Sequence, residues 1–272
     1  MTEVDAASQL PGGGRRLFPD RLVVALYGHP GAPELGALGE QDADATIARA
    51  HRAAASFLPL TRRRVLPALE IIASVATLDP QADGSHTAPM PAEALLPLVL
   101  AAGAAGTYVV LDLQPGRNDF LSQARLYESL LVLPHVGLGL DPEWRLAPHQ
   151  VPLVQVGSVT ADEVNGVVDW LAHLTARHGL PQKLLVLYQF ELAMITNRHL
   201  LDTTRPEIAL LIHIDAHGSP DAKLQTGREV LAGAPPGALA GWKNFPALDT
   251  PSLTPRQTME LVVPSPDLVT YQ

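Results

Sequence analysis

Short aliphatic runs alternate with helical patterns along most of this chain, and that alternation constrains the fold more than any other feature. Strand-like runs cover Arg21–Gly28, Pro67–Val75, Thr107–Gln114, His135–Asp141, Pro152–Val159, Lys183–Phe190, Ile208–Asp215 and Ala238–Phe245. Helical spacing of apolar residues marks Asp42–Phe57, AEALLPLVLAAG, FLSQARLYESLLV, Thr160–His178 and PDAKLQTGREVLAG, with a last short helix starting at Thr254. The segment T-A-D-E from Thr160 reads as a capping box, and Asn118 or Asp119 as the cap of the helix that follows. Strands separated by helices imply a parallel sheet. Eight of them in roughly 250 residues fit an α/β (β/α)8 barrel of the TIM type in count and size. The expected layout is one barrel domain over residues 21–272, preceded by a flexible leader over 1–20 that contains Gly12-Gly13-Gly14 between two prolines. A doubly wound open sheet is disfavoured, because GHPGAPELG after the first strand does not fit a dinucleotide-binding turn.

Three of the strands end in a carboxylate: Asp112 in YVVLDLQ, Asp141 in HVGLGLD and Asp215 in IALLIHID. In a parallel barrel those ends share one rim, where barrel enzymes build their sites. Alternation along a strand sorts the side chains further. Val110, Asp112 and Gln114 share a face, as do His135, Gly137, Gly139 and Asp141, then Leu211, His213 and Asp215, and also Tyr27 and His29. Glu70 and Ser74 fall inside by the same reasoning. A purely structural interior would be layers of Val, Ile and Leu, so a polar inner face is the unusual property. The competing reading of each acid is a helix cap or turn former. Asp141, in D-P-E-W, is the most exposed to it.

Bulk properties remove several functions. A formal net charge of −9 argues against nucleic acid as a partner. The absence of Cys excludes disulfides, thiolate metal sites and a Cys nucleophile. No Ser lies in a G-x-S-x-G elbow. No stretch approaches the roughly 18 apolar residues of a membrane span. MTEVDAASQLPGGGRR lacks the apolar core of a signal peptide, so the chain as written is expected to carry no export signal. The run Arg62-Arg63-Arg64 falls at the opposite end from the acids and reads as a solvated face.

Acids without Cys, a Ser elbow or a phosphate loop point to acid/base chemistry with no cofactor. Glycoside hydrolysis uses two carboxylates, one protonated and one ionised. Asp112, Asp141 and Asp215 are the first candidates, with Glu143 the fourth. Tyr27, His29, Gln114, Arg117, Trp144, Gln189, His213 and Trp242 are candidate contacts to a carbohydrate or other small polar substrate. Trp144 and Trp242 are included because sugar rings stack on such aromatics. Two alternatives stay open: a metal-dependent hydrolase using H-x-D-x-H (His213, Asp215, His217), and a non-catalytic glycan-binding barrel. Oligomeric state is not encoded in any recognisable pattern.

The stretches YGHPG, VVLDLQPGRNDF, LDPEW, QVGSVTADEVN and WKNF resemble a group of uncharacterised actinobacterial proteins, commonly predicted to be exported or lipid-anchored. The likeness runs from about Arg21 to the C-terminal VTYQ. It implies a cell-envelope setting, which favours a polysaccharide substrate, and it brings no established activity or catalytic residues with it.

Overall fold

Eight parallel strands close on themselves in the computed structural model, which describes residues 9–272. The staves are β1 (Arg21–Gly28), β2 (Arg64–Ala76), β4 (Tyr108–Leu113), β5 (Val136–Leu140), β7 (Lys183–Gln189), β9 (Ile208–Ile214), β10 (Leu239–Asn244) and β11 (Leu268–Tyr271). Closure is explicit in the pairing, since β1 bonds to β2 on one side and to β11 on the other. This is the expected (β/α)8 barrel. A short β3 (Thr87–Pro89) runs antiparallel beside the end of β2, and β6 (Val159–Thr160) pairs with β8 (Ile195–Thr196) outside the barrel.

One stave differs from the sequence expectation. Pro152–Val159 is not a barrel strand; apart from Val159 it is loop, and Leu153, Val154 and Val156 are exposed. The missing stave is the four-residue β11, at the C-terminus. A strand that short needs no long apolar run, because its backbone bonds to β1 and β10 hold it on both sides.

The helices are α1 (Ala43–Ala55), α2 (Ala92–Ala104), α3 (Phe120–Leu126), α4 (Glu128–Leu131), α5 (Ala161–Arg177), α6 (Pro220–Leu231) and α7 (Pro255–Leu261). Side-chain caps start most of them: Asp42, Asp119, Thr160, Ser219 and Thr254 each accept a bond from a backbone N–H three residues on. Only Thr254 with Gln257 forms a full capping box. Glu163 does not return to Thr160; it accepts from the Phe120 N–H at 3.1 Å and from Arg145 at 2.9 Å, tying α5 to two loops of the rim. The expected single helix over FLSQARLYESLLV breaks at Tyr127, whose hydroxyl donates to the Ala73 carbonyl at 2.6 Å.

The strand alternation divides the core in two. Outward residues such as Leu69, Ile71, Val109, Leu111, Leu138, Leu140, Leu185 and Leu187 pack under the helices. Inward residues such as Val23, Ala25, Ala68, Tyr108, Val110, Leu184, Val186 and Leu211 fill the lower barrel. Residues 1–8 of the expected leader lie outside the described residues. Residues 9–20 are not a free leader: Leu10, Leu17 and Phe18 are buried against the inward set, and Leu17 is fully so. Three apolar side chains over an open barrel end remove more surface from water than they could in a solvated tail.

Candidate functional site

Above that apolar floor the interior becomes polar. Two small residues on β5 make this possible. A side chain at Gly139 would come within 3.0 Å of the Tyr188 ring, and one at Gly137 within 2.6 Å of the Leu184 carbonyl. Their bare backbone lets Tyr108 and Tyr188 cross the barrel. Gly241 does the same for His213, whose ring would lie 2.2 Å from an added Cβ.

On this tier, Tyr188 donates to Glu70 Oε1 at 2.6 Å and Thr270 donates to Glu70 Oε2 at 2.7 Å. Glu70 is thus a fully buried acid satisfied by two hydroxyls, and burial pushes its carboxyl above the ordinary range. Tyr27 donates to Asp112 Oδ2 at 2.7 Å. Lys243, on the inward face of β10, lies 3.0 Å from Asp215 Oδ1 and 3.6 Å from the centroid of the Tyr27 ring. It is the cation of the assembly. Burial acts to lower its pKa, but Asp215, Glu70 and Asp141 together hold it above the usual lysine value. A second buried ion pair steadies it: Lys223 bonds to Asp249 and donates to the Lys243 carbonyl at 2.9 Å. Asp249 also takes the N–H groups of Phe245 and Gly218, at 2.9 and 3.1 Å, so the loops after β9 and β10 share one anchor.

The four candidate acids come together at the C-terminal rim, in two levels. Asp141, Glu143 and Asp215 line a cleft of about 480 Å³, together with Tyr27, Gln114, Trp144, His217, Lys243, Phe190 and Phe245. Asp112 lies fully buried beneath, bound to Tyr27. Asp112 faces Gly139 across the strand pair, so Asp141 is its diagonal neighbour on the same inner face. The cap reading fails for Asp141: it precedes the short turn Pro142–Trp144 without any side-chain cap bond, and its Oδ1 is buried without a partner. Asp112 Oδ1 is likewise unpartnered.

These surroundings set the charge. Burial, with repulsion from Glu70 and Asp215, raises Asp112 to about 7 against the pull of Tyr27 and Lys243. Burial and then Asp112, Glu143 and Asp215 push Asp141 well above the carboxylate range. Glu143, at the cleft edge, is raised to about 7 by burial and by Asp215, with Lys243 opposing. The loop carrying Glu143 is pinned, because Gly157 donates to the Glu143 carbonyl at 2.6 Å and Ser158 to that of Arg145 at 2.9 Å.

Several expected contacts are elsewhere. Trp242 points outward and is fully buried with Ile212, Ile214 and Val230 under α6. Gln189 also faces outward, bonded to Arg198 and to the Glu191 carbonyl, where it braces a loop. Arg117 donates twice to the Gln150 carbonyl, at 3.1 and 2.8 Å, and holds the 147–157 loop rather than an acid. His213 is fully buried below the cleft, edge-on to Tyr188, and burial with Lys243 and Lys223 keeps it neutral by driving its pKa well down. His29 lies in the loop after β1 and does not line the cleft. His135 packs on α2 through the Val99 carbonyl at 3.0 Å instead of facing the axis. Ser74 turns outward after a bulge between Ile72 and Ser74 and donates to Gln123.

His213, Asp215 and His217 do not converge: the first is buried, the second pairs with Lys243, and the third stacks edge-on against Phe245. Among the described residues no group of three or more His, Asp or Glu side chains has the arrangement of a metal site. No helix is long and apolar enough to cross a membrane among those residues.

Sequence reasoning passed over Lys243. The signal was present: Trp242 belongs with the helices by size and apolarity, and that choice turns Lys243 inward.

No protein-family model matches the chain, and no curated protein matches it. Among solved structures the chain is similar to a truncated form of 3-deoxy-D-arabino-heptulosonate 7-phosphate synthase from Thermotoga maritima. The identity is 14% over 82% of this chain and 75% of that one, with a TM-score of 0.35. A likeness this distant says nothing about the reaction.

Proposed function

We propose that the protein is a carboxylate acid/base enzyme of the glycoside-hydrolase kind, acting on a polysaccharide at the C-terminal mouth of the barrel. The observation that carries this reading is the pairing of Glu143 and Asp215 on one cleft in different electrostatic settings. Glu143, held to about 7, keeps a proton into the neutral range and serves as general acid to the leaving oxygen. Asp215, ion-paired to Lys243, serves as the anionic partner, either nucleophile or base. Such separation of two acids by their surroundings is what lets both roles coexist at one pH. Asp141 and Asp112 lie below as buried carboxyl groups whose protonated form is favoured by burial, so the anionic charge facing the sugar is assigned to Asp215. Trp144, half-buried on the cleft wall, offers a face for a sugar ring. The resemblance to envelope-associated proteins directs the substrate toward a cell-envelope polysaccharide.

The test is release of reducing ends from a panel of envelope and storage polysaccharides by the wild type, Glu143→Gln and Asp215→Asn. Release by the wild type, lost in both variants, supports the reading. Binding of a glycan by all three proteins without turnover by any would replace it with a glycan-binding barrel.

A further inference from the structure

The opposite pole of the barrel carries charge of the other sign. A concavity of about 620 Å³ there is lined by Arg15, Arg16, Arg21, Arg62, Arg63 and Arg64, with Asp20 its one carboxylate among the described residues. In a chain of net charge −9, this gathering from three separate stretches is not a compositional accident. The run Arg62–Arg64, read from sequence as a solvated face, turns out to be half of a shared site.

Its construction has a cost. Arg21 opens β1 and Arg64 opens β2, and the two are direct partners in the strand register. Like charges directly opposite on neighbouring strands are destabilising. Arg21 is nearly buried besides, at 5% exposure. Backbone oxygens compensate in part. Gly12, Gly13 and Gly14 all take positive φ, a run that only glycine adopts readily. The turn they make brings the Gly13 carbonyl onto Arg21 and the Gly12 carbonyl to 3.2 Å from Arg64. Arg15 reaches the carbonyls of Gly179 and Leu180, at 2.9 and 3.0 Å, and Arg63 pairs with Asp267 at 2.8 Å. These contacts orient guanidinium groups, and the carbonyl oxygens that hold Arg21 and Arg64 carry no net charge to balance those two. Arg16, Arg62 and Arg64 stay exposed at the edge of the concavity. Planar forks held around a shared hollow match tetrahedral oxyanions, which guanidinium binds in bidentate fashion.

We infer that this arginine concavity is a binding site for phosphate-type oxyanions, free or presented as the headgroups of an anionic surface. The site is independent of the cleft and of the reaction assigned to it. Bound there, the protein directs its acidic mouth away from the anion.

The test uses the full chain and the double variant Arg62→Gln/Arg64→Gln, whose side chains are exposed, with pyrophosphate and inorganic phosphate as soluble probes. Calorimetric titration in low salt is expected to show pyrophosphate binding by the wild type and at least tenfold weaker binding by the variant. Melting without any anion adds a readout independent of binding: the single variant Arg64→Gln is expected to melt above the wild type, because the opposed charge is gone. Co-sedimentation with phosphatidylglycerol vesicles, against phosphatidylcholine vesicles, separates the two sources. Pyrophosphate binding without vesicle binding assigns a free phosphate ligand, and arginine-dependent vesicle binding assigns a headgroup. Either supports the inference. No binding of pyrophosphate, phosphate or anionic vesicles, or binding equal in wild type and double variant, overturns it.

Discussion

The lower and upper halves of the barrel interior are built from the same strands with the same alternation, yet they are filled by opposite chemistry. Below, Leu17, Phe18, Val23, Ala25, Leu66, Ala68 and Val110 form an apolar plug. Above, Glu70, Asp112, Asp141, Tyr188, His213 and Lys243 occupy equivalent inward positions and are nearly all sealed from water. Burial of apolar surface makes the first half a source of stability. Burial of charge makes the second half a cost, offset by one lysine and a few hydroxyls. A fold under selection for stability alone would continue the apolar layers to the rim. The difference is the physical ground on which the proposed function is placed in the upper half.

Substitutions separate the two halves, and the largest effect is expected on turnover. Glu143→Gln should lower the rate of glycan hydrolysis by about 10²–10⁴-fold, the usual contribution of a general acid, with the melting temperature little changed. A rate unaffected by this substitution would remove Glu143 from the chemistry. Next, Lys243→Met strips the upper half of its cation and leaves Asp215 unpaired. Denaturant unfolding should register a loss of about 3–5 kcal/mol, as for other broken buried pairs. Leu17→Ala, in the floor, is expected to cost about 2–5 kcal/mol of stability while leaving the pH dependence of activity where it was. If it instead shifts that profile, the two halves are not separable.

Asp112→Asn is the sharpest probe of the stated cost, and its effect is the smallest. The folded carboxyl is raised to about 7 by burial, whereas the unfolded one titrates near 4, so the folded chain holds an extra proton between those values. Wild-type stability therefore falls as pH rises from about 4 to about 7 and levels off above. The asparagine variant lacks that slope, and at pH 8 it should be more stable, by on the order of 1–3 kcal/mol. Its amide oxygen still accepts from Tyr27. Equal pH dependence in the two proteins would show that Asp112 is not the strained acid described here.

Much of this architecture was legible as pattern. Period-two alternation correctly turned Asp112, Leu211 and Tyr27 inward, because packed outer faces select aliphatic residues strongly. It misled at Ser74, where a bulge inserts one residue and reverses the faces beyond it. It misled at His135, which stands just before β5 and obeys the helix it touches rather than the sheet. Pro152–Val159 reads as the fifth of the eight staves because that stretch has strand-like composition. The stave that completes the eight, Leu268–Tyr271, is defined by long-range pairing that no local window contains. The convergence of the acids, by contrast, follows from their local positions at strand C-terminal ends. The ion pair of Lys243 with Asp215 and the outward burial of Trp242 needed the closed barrel.

General-acid chemistry at this cleft requires that one rim carboxyl keep its proton into the neutral range. Carbon-13 carboxyl NMR titration of the free protein, with Glu143→Gln used to assign the resonance, measures this without any substrate. The account requires Glu143 to be half-protonated near pH 7. Titration at about 4.3, the value of an unperturbed glutamate, would contradict it.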